Sequence, residues 1–165
     1  MAILDSNEGL VVEHSTVSQC SAGDQGGGLY VYRYNDAMTL RNTTIADCSS
    51  VDDGAGVYLN TANVNFLLEG SVVTGCRTAD KGGGVYAYSG NDFLTVAGST
   101  ISQCYAEVKG GGVYLSTQNH DFYMTASRLF SNDAEDDGGG IMLLVRRTVF
   151  PRELAVQCQL YYIIL

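Results

Sequence analysis

Residues 20–35 read CSAGDQGGGLYVYRYN, and within this stretch three consecutive glycines, Gly26 to Gly28, lead directly into Leu29 and Tyr30. The same arrangement occurs four more times, each 28 residues after the last: GAGVY from Gly54, GGGVY from Gly82, GGGVY from Gly110 and GGGIM from Gly138. A glycine loop that cradles a phosphate occurs once per site, so five copies in register exclude that interpretation. A fixed period of this size predicts structural units that stack on one another.

Composition excludes several classes of partner. The 165 residues carry a net charge of −9 and include 20 glycines and one proline. This length is enough for one domain with a sizeable core. The nine Lys and Arg residues are scattered, so we expect binding neither to nucleic acids nor to anionic membranes. No apolar stretch is long enough for a transmembrane helix, and the start, MAILDSNEGLVVEH, does not read as a secretory signal.

The residues after the glycines alternate in character, as in a β-strand with one buried face. We call a set of residues 28 positions apart a column. An aliphatic column comprises Leu29, Val57, Val85, Val113 and Ile141. The tyrosine column comprises Tyr30, Tyr58, Tyr86 and Tyr114, with Met142 in the last copy. We expect these tyrosines to project outward as an exposed aromatic stripe, which is the candidate ligand-binding site.

Two further strands follow in each unit. The second strand contains Met38, Phe66, Leu94 and Phe122, and two positions later Leu40, Leu68, Val96 and Met124. The third strand is centred on Val17, Ile45, Val73, Ile101 and Leu129. Three short strands joined by turns form one coil of a parallel β-helix. The unit lacks the leucine pattern of a leucine-rich repeat and is shorter than the roughly 40 residues of a propeller blade.

A column of asparagines lies between the first two strands of each unit. Its members are Asn7, Asn35, Asn63, Asn91 and Asn119. Asparagine tolerates turn conformations, and stacked asparagine side chains can hydrogen-bond to one another. We therefore assign this column a structural role, as a ladder of side chains that stack along the axis.

Four of the five cysteines also occupy one column. They are Cys20, Cys48, Cys76 and Cys104, and Asn132 stands in the next copy. Neighbouring coils lie about 4.8 Å apart, so disulfides such as Cys20–Cys48 are geometrically allowed. We favour a ladder of reduced, buried thiols, because free cysteine packs as a small apolar residue. A zinc site is excluded, because the ligands would form a line rather than a tetrahedron.

The glycines are expected at a sharp corner where neighbouring coils approach closely. Glycine allows both a positive φ and close contact between backbones. Ala55 replaces the middle glycine in one copy, so we expect that position to tolerate a Cβ. The outer two positions are glycine in all five copies, so we expect both to have special dihedral angles.

The runs ISQCYAEVKGGGVY and LFSNDAEDDGGGIM resemble the repeats of chlamydial-type polymorphic outer membrane proteins, which combine F-x-x-N with G-G-A-[ILV]. Residues 129–132 read L-x-x-N and residues 138–141 read GGGI, although most copies have Cys in place of that Asn. The chain is also similar to the wider pectate-lyase-like group of right-handed parallel β-helices. The resemblance implies a right-handed helix of about five coils, and a cell-surface or extracellular location.

The predicted domain organisation is a β-helix over residues 1–145 and a non-repeat tail over 146–165. The tail contains the only proline and no glycine, so we expect a cap or an off-register end. The chain is also expected to be part of a longer array of coils.

The predicted function is that of a non-enzymatic structural or adhesion module, which binds carbohydrate or a surface protein along an outer face. The alternative is a fragment of a polysaccharide lyase or hydrolase. The candidate catalytic side chains are Arg33, Arg41, Asp36, Asp92, Asp121, His120 and the turn pairs Asp52/Asp53 and Asp136/Asp137. These candidates form no recognisable cluster, so no catalytic residue is assigned. Carboxylates and turn carbonyls at the acidic turns are suited to calcium, but Lys81 and Lys109 interrupt that column, so no cofactor is predicted.

Overall fold

The computed structural model describes residues 1–144 and three short segments beyond them, 148–149, 155–157 and 160–162. Within these residues the chain winds through short strands that form four parallel sheets. Each coil contributes one strand to each sheet, and strands of successive coils pair side by side. The predicted parallel β-helix is confirmed.

The four sheets are numbered in the order in which one coil visits them. Sheet 1 contains Ala2–Ile3, Leu29–Arg33, Val57–Thr61, Val85–Ser89, Val113–Leu115, Ile141–Leu143 and Leu160–Tyr162. Sheet 2 contains Val11–Glu13, Thr39–Arg41, Leu67–Glu69, Thr95–Ala97, Phe122–Thr125 and Thr148–Val149. Sheet 3 contains Thr16–Ser18, Thr44–Ala46, Val72–Thr74, Thr100–Ser102, Arg128–Phe130 and Ala155–Gln157. Sheet 4 contains Ser21–Ala22, Ser49–Ser50, Arg77–Thr78, Tyr105–Ala106 and Asp133–Ala134.

Sheet 4 is a departure from the three strands expected in each coil. Its strands have only two residues, and they lie directly after the cysteine column. A two-residue strand is too short to show an alternating pattern, so the sequence gives no periodic signal for it. The backbone N–H of Ser49 nevertheless donates to the carbonyl oxygen of Cys20 in the coil before, at 2.8 Å.

The pairing register is 28 residues through the repeats. Tyr58 lies opposite Tyr86 in sheet 1, and Val73 lies opposite Ile101 in sheet 3. Every column therefore becomes a file of side chains along the axis. The inward columns of sheets 1 to 3 form one continuous core, in which Leu59 is fully inaccessible to solvent while Val12 and Val17 of the first coil are partly buried. Burial of each such side chain contributes roughly 1.5–3 kcal/mol.

The corners of each coil are built from a residue in the left-handed region followed by a buried polar residue. Tyr34 (φ 55°) precedes Asn35, and Asn42 (φ 48°) precedes Thr43. Asp47 (φ 54°) precedes Cys48 in the same way. The left-handed residue turns the chain sharply, and the next side chain then points into the helix.

The buried polar side chains accept hydrogen bonds from the corner backbone of the coil before. The N–H of Asn35 donates to Oδ1 of Asn63 at 3.1 Å, and the side-chain amide of Asn35 donates to the same oxygen at 2.8 Å. The N–H of Thr43 donates to Oγ of Ser71 at 3.0 Å. Side chains therefore satisfy corner donors that no strand partner reaches.

The cysteine column occupies the third such corner, between sheets 3 and 4. Cys20, Cys48, Cys76 and Cys104 are free thiols. The Cys48 thiol donates to the carbonyl oxygen of Ala46 at 3.3 Å, and burial raises its pKa to about 11. At Asn132 the amide oxygen accepts the N–H of Cys104 at 3.0 Å. Cysteine and asparagine therefore serve the same corner, which explains why one replaces the other in the column.

The glycines preceding sheet 1 are required for two different reasons. The first glycine of each run has a positive φ, for example 65° at Gly54. The third does not, so the expectation of special dihedral angles at both outer positions is wrong there. A Cβ on Gly56 would lie 2.3 Å from the carbonyl oxygen of Gly84 and 3.3 Å from Sγ of Cys76. The third glycine is therefore required by close approach between coils.

The middle position of the glycine run differs between coils. Ala55 is fully buried there, yet a Cβ on Gly83 would lie 2.4 Å from the carbonyl oxygen of Tyr105. A Cβ therefore fits at the middle position in the coil of Ala55, but at Gly83 it would require a local shift of the backbone.

The described segments beyond residue 144 continue the parallel pairing at shorter intervals. Thr148 lies opposite Phe122, Ala155 opposite Arg128, and Leu160 opposite Ile141. These intervals are 26, 27 and 19 residues rather than 28. The other residues of 146–165, on which the prediction of a cap depends, lie outside the described residues.

Replacing Asn63 with alanine tests the corner hydrogen bonds. We expect Asn63→Ala to lower the free energy of unfolding by about 1–3 kcal/mol, because the N–H of Asn35 loses its acceptor and stays buried. Urea denaturation measures the change. Asn60→Ala is the matched control, since this half-buried amide donates only outward, to the hydroxyl of Tyr30. Equal losses in the two variants would contradict the assignment.

Candidate functional site

The tyrosine column lies on the outer side of sheet 1, but it is not exposed. Its rings stack with centroids 5.2–5.3 Å apart. Tyr58, Tyr86 and Tyr114 are only 2%, 3% and 5% exposed. The expectation of an exposed aromatic stripe at this column is therefore wrong; only Tyr30, at one end, is half-buried.

The turn that precedes each tyrosine covers its ring. A Cβ on Gly54 would lie 2.8 Å from both Cβ and Cδ2 of Tyr58, so the glycine backbone rests directly on this side chain. The positive φ of the first glycine brings the turn into that position. The tyrosines and Met142 thus form a second buried cluster outside the main core.

The buried phenols are suited to packing rather than to proton transfer. Burial, together with the negative charge of Asp53, raises the pKa of Tyr58 and of Tyr86 far above the usual range. The hydroxyl of Tyr30 accepts a hydrogen bond from the side-chain amide of Asn60 at 2.8 Å. At Tyr58 and Tyr86, burial and the nearby carboxylate therefore disfavour the phenolate that a tyrosine base or nucleophile requires.

Asp53 is the most perturbed carboxylate beside the column. Its side chain is 13% exposed, and Oδ1 lies 3.9 Å from Nζ of Lys81. Among the described residues, no hydrogen-bond donor reaches this oxygen. Burial raises the pKa of Asp53 to about 6, and the nearby Asp80 acts in the same direction. The negative charge of Asp53 is therefore poorly compensated at neutral pH.

The exposed aromatic residues near the tyrosine column are Tyr88, two positions after Tyr86 in sheet 1, and Tyr34, at the corner directly after the strand Leu29–Arg33. Tyr34 is 58% exposed and Tyr88 is 46% exposed. The guanidinium of Arg33 lies 4.9 Å from the ring centre of Tyr32 and 5.6 Å from that of Tyr34. Arg33 also pairs with Asp5 at 3.2 Å, so its charge is already neutralised.

We define the aromatic face by Tyr32, Tyr34, Asn60 and Tyr88. Tyr32 and Tyr88 belong to one column and are two coils apart, which corresponds to about 9.6 Å along the axis. Asn60 lies between them in that column. The face therefore offers two rings on either side of an amide, held by paired strands.

The catalytic candidates are distributed over different surfaces. Arg41 pairs with Glu69 at 2.7 Å and with Glu13 at 3.6 Å on the outer side of sheet 2. Nδ1 of His120 lies 2.9 Å from Oδ1 of Asp92, a carboxylate that can accept its N–H, at the corner beside the asparagine column. Asp36, at that corner, accepts from Asn65 at 2.8 Å.

The acidic turns lie on another side of the coil, beside the tyrosine column. Lys109 pairs there with Asp137 at 3.3 Å, and Lys81 pairs with Asp80 at 2.7 Å. In the part of the chain that the structure describes, no group of three or more His, Cys, Asp or Glu side chains is arranged to hold a metal ion.

Comparison with known proteins identifies the fold family. The family model described as "right handed beta helix region" matches residues 2–150. The chain belongs to the right-handed β-helix family. No curated protein and no solved structure matches this β-helix. No helix long and apolar enough to cross a membrane occurs among the described residues.

The pKa of Asp53 predicts how the stability of this β-helix varies with pH. Its folded-state pKa of about 6 lies above the ordinary value of 3.8, so the folded state binds the proton more tightly than the unfolded state does. The contribution of Asp53 to stability is therefore present at low pH and is lost as pH rises from about 4 to about 6. Asp53→Asn should remove this loss and stabilise the protein by about 1–2 kcal/mol at pH 7.

Urea midpoints measured between pH 4 and pH 7 test this prediction. The two proteins should have similar midpoints at pH 4 and diverge above it. Asp136→Asn is the control, because it removes an exposed carboxylate from an equivalent turn. A constant difference between Asp53→Asn and the unmodified protein across this range would contradict the assignment.

Proposed function

We propose that this β-helix is a non-enzymatic structural or adhesion module that acts at the cell surface or outside the cell and binds carbohydrate along the aromatic face. The observation that carries the proposal is the exposure of Tyr88 on a sheet whose other outward aromatic column is covered, and of Tyr34 at the corner that follows a strand of the same sheet. Large exposed aromatic side chains on a rigid sheet are typical of a recognition surface.

The chemistry of the aromatic face suits a sugar. Tyrosine rings provide flat apolar surfaces against which the C–H faces of a sugar can pack, and their hydroxyls can bond to the sugar hydroxyls. Asn60 adds an amide: one of its N–H groups bonds to the Tyr30 hydroxyl and its oxygen accepts from Thr61, which leaves the second N–H and the second lone pair of the oxygen for a sugar. The net charge is −9, and Arg33 is already paired with Asp5, so an uncharged glycan fits better than a polyanionic one.

The frame of the β-helix supports this type of binding. Tyr88 lies in Val85–Ser89, which pairs with Val57–Thr61 over four residue pairs. Rings held in paired strands lose little conformational entropy when a ligand binds, so weak contacts can add up along an extended chain. The resemblance to polymorphic outer membrane protein repeats supports the surface location.

A glycan array probed with the purified protein tests the proposal. We expect binding to neutral polysaccharides, and a loss of affinity of about tenfold in Tyr88→Ser. Phe93→Ser is the matched control, because Phe93 is also 46% exposed but follows the asparagine corner and leads into sheet 2, whereas Tyr88 lies in sheet 1. Absence of glycan binding, or equal effects of the two substitutions, would contradict the proposal.

The alternative is a polysaccharide-active enzyme, and one contact favours it. Nδ1 of His120 lies 2.9 Å from Oδ1 of Asp92, and such a pair can orient an imidazole as a base. The same glycans should be incubated with the protein and assayed for new reducing ends and unsaturated products. Turnover that His120→Ala abolishes would replace the first proposal with this one.

A further inference from the structure

The cysteine column holds its four thiols in one file with a common orientation. Each thiol donates to the carbonyl oxygen of the residue two positions before it, at 3.3–3.4 Å. Because the side chains share this geometry, their sulfur atoms repeat at the spacing between coils, about 4.8 Å. The members of the file are Cys20, Cys48, Cys76 and Cys104.

Cys76 and Cys104 form an enclosed pair of neighbours. Their exposed fractions are 0% and 1%. The two thiols interact directly, and this contact, together with burial, raises the pKa of Cys76. A Cβ on Gly84 would lie 3.3 Å from Sγ of Cys104, so the glycine run leaves room for the sulfur at this corner. The two sulfur atoms therefore face one another inside the β-helix, where water does not reach them.

We propose that neighbouring thiols of the cysteine column bind a soft monovalent cation, Cu(I), with each ion held in line between two sulfur atoms. Metal–thiolate bonds are about 2.3 Å long, so a linear sulfur–metal–sulfur unit spans about 4.6 Å. This length is close to the spacing of about 4.8 Å between coils. A straight file of thiols cannot supply the tetrahedron that zinc requires, but it suits a soft cation that takes two ligands in a line.

The buried thiols select for a soft cation because they hold their protons. Burial raises the pKa of Cys48 to about 11, so a hard cation finds no thiolate ligand at neutral pH. Cu(I) binds thiolate strongly enough to displace the proton. For each ion two S–H bonds break, two copper–sulfur bonds form and two protons pass to water, so the site gains one negative charge. The backbone N–H of Cys48 donates to the sulfur of Cys76, which favours the thiolate there by lowering its pKa.

Ag(I) is the probe for these sites, because it is a soft cation with the same linear sulfur coordination and is stable in air. Every protein tested carries Cys158→Ser, so that only the column contributes thiols. The ions retained after dialysis against free methionine, which removes ions held only by thioethers, are counted by mass spectrometry. We expect two Ag(I) ions per chain, one for each pair of neighbouring thiols, and no retention of Zn(II) or Ca(II).

Two double variants with the same number of thiols separate the effect of spacing from that of thiol count. Cys20→Ser/Cys48→Ser retains Cys76 and Cys104 in neighbouring coils, whereas Cys48→Ser/Cys104→Ser retains Cys20 and Cys76 two coils apart. The second pair is separated by about 9.6 Å, which one ion cannot bridge. Serine is the replacement because Ser71 serves an equivalent corner. We expect one retained Ag(I) ion in the first variant and none in the second.

Equal retention by the two variants, or no retention by the first, would overturn the proposal. Circular dichroism of the metal-free variants checks that both fold. X-ray absorption of the protein with its column intact needs no variant, and it should show Ag(I) with two sulfur neighbours. Three or more sulfur neighbours, or a dimer bridged by the ion in gel filtration, would also overturn it. Cu(I), added without oxygen, should follow the same order among the variants.

This inference does not depend on the proposed glycan binding. Tyr88 lies in sheet 1, whereas the cysteine column lies at the corner between sheets 3 and 4. Tyr88→Ser should therefore retain both Ag(I) ions whether or not it binds glycans.

Discussion

Backbone N–H groups at the corners of each coil need hydrogen-bond acceptors, and side chains of the next coil supply them. The carboxamide of Asn63 and the hydroxyl of Ser71 each serve this role for a residue 28 positions earlier. A donor left unpaired in such a buried position costs about 1–3 kcal/mol, and every coil has several corners. Sharp corners are what allow four short sheets to enclose one continuous core, so the fold depends on these bonds as much as on the burial of aliphatic side chains.

Much of this arrangement could be predicted because stacking gives equivalent residues equivalent surroundings. The column that contains Asn63 is asparagine in every copy, because its members accept corner N–H groups. The column that contains Val73 is aliphatic in every copy, because its side chains lie in the core. The left-handed corner residues could not be predicted, because Tyr34, Ala62 and Gln118 occupy one such column without any local preference for that conformation. There the stacked structure imposes the dihedral angle at a local cost of order 1–3 kcal/mol.

The burial of the tyrosine column shows that the alternating sequence pattern of a strand does not predict whether its outer face is exposed. Alternation identified the side of the strand on which Tyr58 lies, but it carries no information about what covers that side. The covering group is a turn whose path depends on the positive φ of Gly54, and the glycine run had been attributed only to the corner. The exposed aromatic side chains near this column are instead Tyr88 and Tyr34. The buried rings instead form a support for the strands that present the aromatic face.

The third glycine of each run places the carbonyl group of one coil against the α-carbon of its neighbour, as at Gly56 and Gly84. This contact is repeated without change from one coil to the next, so neighbouring units are interchangeable as building blocks. Removal or duplication of a whole 28-residue unit would rejoin equivalent positions, whereas a single inserted residue would displace every side chain that follows it. Genetic changes in this molecule should therefore alter its height in whole units while its cross-section stays constant.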